Sequence, residues 1–113
     1  MTAASPPAPD AVVCFVTVPQ GDARAIAATI VERELAACVN IVELVRSVYR
    51  WQGKVQHDEE ALLVVKSTRA AVGRIEELLG AIHPYETFEL IALDVVSGSP
   101  PYLQWIASQV RLL

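Results

Sequence analysis

The chain has 113 residues, 53% of them hydrophobic, and nine basic residues against thirteen acidic ones give a formal net charge of −4. That length supports one domain with one core, and so apolar a composition in so small a body points to burial against other copies of itself. The acidic balance argues against a nucleic-acid binder, which needs clustered Lys and Arg, and no apolar run approaches the ~18 residues that span a bilayer.

Residues 1–10 carry three prolines, several small residues and no basic stretch. They read as a disordered tail and not a signal peptide, ahead of a single domain over 11–113. Residues 11–18 (AVVCFVTV) form a continuous, largely β-branched run, the signature of a buried strand, stopped by Pro19 and Gly21. Asp22 stands where a helix cap belongs. Ala23, Ile26, Ala27, Ile30, Val31 and Leu35 then follow at helical spacing as one apolar face.

Residues 38–51 read as a long strand, with Tyr49 and Trp51 alternating against Val48 and Arg50. Gln52-Gly53 supplies a tight turn, and the chain returns over 55–66. The middle of that return, His57-Asp58-Glu59-Glu60, is polar and reads as a solvated edge. A ribbon that extends beyond the core is marginal by itself, so a neighbouring subunit is expected against it. Tyr49 and Trp51 would gain burial there.

Ser67 or Thr68 caps a second helix with Val72, Ile75, Leu79 and Ile82 inward, ending near His83 because Pro84 disfavours helical geometry before it. Residues 88–96 form another apolar strand. Ser99 then caps a last helix, with Pro100 at its first position and Tyr102, Leu103, Ile106 and Val110 on its apolar side. The order β-α-β-β-α-β plus a terminal helix predicts an α+β, ferredoxin-like sandwich, two helices on one face of a four-stranded antiparallel sheet. Cys14 and Cys38 lie in apolar strand runs. They read as reduced core thiols in a cytoplasmic protein, not as nucleophiles or a disulfide framework.

Several segments resemble the CutA family of divalent-cation tolerance proteins. They are Glu34-Leu35-Ala36-Ala37-Cys38-Val39-Asn40-Ile41, the stretch from Val45-Arg46-Ser47-Val48-Tyr49 through Arg50-Trp51-Gln52-Gly53-Lys54, and Lys66-Ser67-Thr68. His83-Pro84-Tyr85-Glu86 with Glu89-Leu90-Ile91-Ala92-Leu93, and Tyr102-Leu103-Gln104-Trp105, complete a match over about residues 12 to 107. The resemblance implies a homotrimer built by sheet extension between subunits, a fold related to PII signalling proteins, and a non-enzymatic role in tolerance of copper and other divalent cations.

It also implies a metal set of one strand cysteine and a His-His pair before Pro-Tyr. Here His83 is the only member of that set; Val16 and Ile82 hold the other positions, with Cys14 two residues before Val16 on the same face, ~7 Å along the strand. One imidazole is not a copper site. Cu²⁺ or another divalent ion at His83 therefore stands against a surface or capping role for that residue, and no organic cofactor is expected. Lys66, Tyr85, Glu86 and Glu89, closed over by Trp51 of a neighbouring subunit, are expected to form either a small-ligand pocket or a polar network at the subunit interface.

The rival class is an enzyme of the same fold. Val18-Pro19-Gln20-Gly21-Asp22-Ala23-Arg24 resembles the anion-cradling loop of acylphosphatase. It departs in that Pro19 lacks an N–H, Asp22 puts a negative charge in the cradle, and Arg24 comes one residue early.

Overall fold

The computed structural model describes residues 10–112. The tail expected over 1–10 therefore lies, apart from Asp10, outside the described residues. Strand β1 (Ala11–Val18) forms where the β-branched run predicts it, and Val12, Cys14, Val16 and Val18 alternate inward. Helix α1 (Ala23–Glu32) lays Ala23, Ile26, Ala27 and Ile30 on the same core. Val31, expected on that stripe, is 38% exposed because it lies about 100° round the helix from Ile30. Leu35 is buried but sits beyond the helix, after Glu34 turns the chain with a left-handed φ of 59°.

Strands β2 (Cys38–Trp51) and β3 (Lys54–Thr68) make the long hairpin, closed by Gln52 (φ 49°) and Gly53 (φ 78°). Two consecutive positive φ values match the twist that a two-residue hairpin turn needs. A register shift between Val42 and Val45 kinks β2. β1 pairs with β3 only as far as Ala61, so the outer part of the hairpin is a two-stranded ribbon, and the molecule measures 59 × 25 × 22 Å. Cys38, expected in the core beside Cys14, is only half-buried because β2 is an edge strand.

Helix α2 (Val72–Ile82) buries Ile75, Leu78 and Leu79 and stops at His83, whose ψ of 135° is the extended geometry imposed by Pro84. The expected side-chain caps do not form. Short 3₁₀ turns, Gln20–Asp22 and Arg69–Ala71, precede α1 and α2, so backbone carbonyls take amides that Asp22 and Thr68 would otherwise cap. The Ser67 hydroxyl instead donates to the Leu35 carbonyl at 2.5 Å, since Ser67 points into the core from β3. Ser99 precedes helix α3 (Pro100–Gln109) but makes no side-chain cap bond.

Strand β4 is Ile91–Asp94, shorter than the 88–96 run, because residues 84–90 are drawn into a loop whose Phe88 and Leu90 pack against the core. All four strands run antiparallel in the order β2-β3-β1-β4. α3 lies against β1 and β3 and buries Ile106, while Tyr102 stays exposed. The core is built from β1, β3, α1 and α2 side chains, and burying a residue such as Leu63 or Ile75 stabilises the fold by roughly 1.5–3 kcal/mol.

Candidate functional site

Side chains alternate along the ribbon, so Ser47, Tyr49 and Trp51 share the face that carries Asp58 and Glu60 on β3. The register sets Ser47 opposite Asp58 and Val45 opposite Glu60. Below that face runs the loop after α2. Together they enclose a groove of about 750 Å³ lined by Thr17, by Tyr49, Trp51, Asp58 and Glu60 of the hairpin, and by Tyr85, Glu86, Phe88 and Glu89 of the loop.

His83 holds that loop in place. Its Nε2–H donates to the Thr17 carbonyl at 2.9 Å and its Nδ1 accepts the Tyr85 N–H at 3.0 Å, which assigns the neutral Nε2–H tautomer. The imidazole stacks on Phe88 with ring centres 5.1 Å apart and meets Tyr85 at 5.0 Å. One buried ring thus joins the end of β1 to both aromatic walls that the loop contributes.

The electrostatics of the groove have one sign. Asp58, Glu60, Glu86 and Glu89 line it, and no Lys or Arg does among the described residues. Glu60 is 5% exposed, and Tyr85 donates its hydroxyl to Glu60 Oε2 at 3.3 Å. The Tyr85 phenol is pushed up by burial and by the Glu60 charge. Tyr49 donates to the Asp58 carboxylate, and that bond, with the charge behind it, pushes the phenol up to about 12. Partial removal from water, then the nearby Glu60 charge, raises the Glu89 carboxyl.

The site expected from sequence is brought together only in part. Within one protomer, Tyr85, Glu86 and Glu89 share the groove with that chain's own Trp51, because the loop runs beneath its own hairpin. Lys66 is not there. It lies six residues beyond Glu60 on a straight strand, ~20 Å at strand rise, pairs with Val13 and Cys38, and donates to the Asn40 side-chain carbonyl. Thr17, Tyr49, Asp58, Glu60 and Phe88 are among the lining residues the sequence reading did not assign. Glu60 was read as solvated edge and is buried. Counting outward from Gln52-Gly53 pairs Ser47 with Asp58 and Val45 with Glu60, so part of this face was open to reading.

The residues present do not fit a copper centre. Both His83 nitrogens are committed to backbone groups, Val16 is fully buried in the core, and Ile82 has no donor. Among the described residues no three His, Cys, Asp or Glu side chains cluster to hold a metal ion. Cys14 is sealed in the core with its thiol raised by burial, and His57 is exposed on the ribbon. The loop that resembles an anion cradle is folded into a 3₁₀ turn, its Asp22 N–H donated to the Pro19 carbonyl, and Arg24 turns away to Glu43 at 3.8 Å.

The CutA1 divalent ion tolerance protein family matches residues 12–109. The divalent-cation tolerance protein CutA of Thermus thermophilus is 47% identical over 95 residues, 83% of this chain and 92% of that protein. Protein CutA of mouse is 44% identical over 93 residues, 81% of this chain, and there the chain spans about half (52%) of its relative's length. Among solved structures, CutA1 from Oryza sativa superposes with a TM-score of 0.88 at 40% identity, covering 90% of this chain and 94% of that one.

Proposed function

The chain belongs to the CutA1 divalent ion tolerance family, and from that premise we propose that it is a non-enzymatic, homotrimeric binding protein of the cytoplasm serving the response to divalent cations. The strand order β2-β3-β1-β4, with α1 and α2 sharing one core, supports a ferredoxin-like protomer of the kind found in PII signalling proteins, a single unit over 11–113. Two free thiols and no disulfide support a reduced compartment.

One observation carries the trimer. The sheet ends at β2 and β4, and both edges are open and apolar: Val42 is 43% and Leu44 51% exposed, and Ile91 is 50% and Leu93 46% exposed. Exposed apolar edges invite pairing, and a closed ring of three copies uses them up. Sedimentation equilibrium at micromolar concentration is expected to give three times the protomer mass. A well-folded monomer there would overturn the assembly.

Within that scaffold the acidic aromatic groove is the small-ligand site, since it is concave, walled by rings and lined by several polar groups. A divalent ion at His83 is the second reading, favoured only by the family's name. It requires one ring nitrogen to release a backbone partner. Calorimetric titration of Cu²⁺ and Zn²⁺ into the protein and its His83→Ala variant is expected to give the same heats. Binding lost in the variant would restore the metal reading. The acylphosphatase alternative predicts turnover of an acyl phosphate, and none is expected, because the loop that would cradle phosphate has its Asp22 amide already bonded.

A further inference from the structure

We infer that the groove selects an organic cation, an ammonium or guanidinium group carried on a flat apolar body, with Glu60 as the principal counter-charge. The inference rests on the reading of the groove as a ligand site and adds the ligand's charge and shape.

Three independent features converge. The first is a buried carboxylate without a cation. Glu60 is 95% removed from solvent and takes a long phenol contact from Tyr85 at 3.3 Å, and among the described residues no Lys or Arg lines the groove. Its carboxylate faces the groove with a phenol and no cation beside it, so a positive group on a ligand would find a counter-charge already in place. The second is the wall: Trp51, Tyr49, Tyr85 and Phe88 present ring surfaces around the same space, and ring faces attract cations. The third is the volume, about 750 Å³, within the range that holds a small organic molecule and far beyond a bare ion.

The carboxylates do not converge for an inorganic ion. A divalent metal needs several oxygens within about 2.6 Å of one point, and no such cluster exists among the described residues. Spread around the groove, Asp58, Glu60, Glu86 and Glu89 instead suit the extended donor array of an ammonium or guanidinium. The raised Tyr85 phenol and Glu89 carboxyl share a cause, burial first and then the Glu60 charge, and a bound cation would offset both.

The test uses three probes of one shape and different charge: benzylamine, benzyl alcohol and benzoate. Trp51 fluorescence reports binding in the full chain carrying Trp105→Phe, which leaves a single tryptophan. Benzylamine is expected to saturate, and its Kd to rise at least tenfold in Glu60→Gln and severalfold in Glu86→Gln, an exposed position where folding is not at risk. Benzyl alcohol and benzoate are expected to bind at least tenfold more weakly than benzylamine. Equal binding of all three would leave the ligand groove standing and overturn the cation preference. No binding of any probe would overturn both readings. A changed sedimentation mass in Glu60→Gln would mean that a side chain of a neighbouring subunit fills the groove, which also overturns the small-cation assignment.

Discussion

At the scale of single residues, His83 illustrates how a functional-looking side chain can be structural. Two backbone bonds and two ring contacts tie it to β1 and to the loop that walls the groove. His83→Ala is expected to destabilise the protein by about 1–3 kcal/mol, the usual cost of orphaning buried polar partners, measured by denaturant unfolding at fixed protomer concentration. Tyr49 makes a complementary prediction. Its phenol is held above its ordinary value near 10, so the stabilisation it carries is complete below that pH and is lost as pH rises through about 12. Asp58→Asn is expected to bring Tyr49 back toward ordinary titration, read by ultraviolet absorbance. Glu89 also has a raised pKa, which disfavours its charged form. Stability is therefore expected to increase as pH falls through the raised value toward the ordinary carboxylate range, and Glu89→Gln to flatten that profile.

At the scale of elements, the hairpin turn is the most exacting piece of local chemistry. Gln52 occupies left-handed space with φ 49°, where a side chain is disfavoured by about 1–2 kcal/mol and Asn is better tolerated. Gln52→Asn is expected to raise stability by roughly half to one kcal/mol, and Gly53→Val to lower it by more than that, both read as shifts in Tm. The helices were legible from their apolar stripes and from Pro84, whereas their starts were not. Asp22, Ser67 and Thr68 are good capping residues by type, yet the 3₁₀ turns ahead of α1 and α2 had already occupied the backbone groups in question. β4 was over-extended for a related reason: 88–96 is apolar throughout, but Phe88 and Leu90 spend that character on packing a loop rather than extending a strand.

At the scale of the whole molecule, length and openness belong together. A 14-residue and a 15-residue strand reach beyond a body that needs only their inner halves, leaving a two-stranded ribbon and two open sheet edges. In the proposed trimer, Leu93→Lys on β4 is expected to shift sedimentation toward the protomer while circular dichroism keeps its β signature. A trimer unaffected by a charge at that edge would mean that β4 is not a contact surface. The groove lies at the junction of ribbon and body, so its geometry depends on both.

The order of elements, the two apolar helix faces, the Gln52-Gly53 turn and the stop at His83 follow from spacing and backbone chemistry, because each rests on residues within a few positions of one another. The groove does not. Glu60 and Lys66 look equally polar along one strand, and only pairing with β1 and β2, together with the path of the loop after His83, buries one among aromatic rings and carries the other to the far end of the sheet. Burial is a property of neighbours distant in the chain, so tertiary contacts alone decide which charge becomes part of a site.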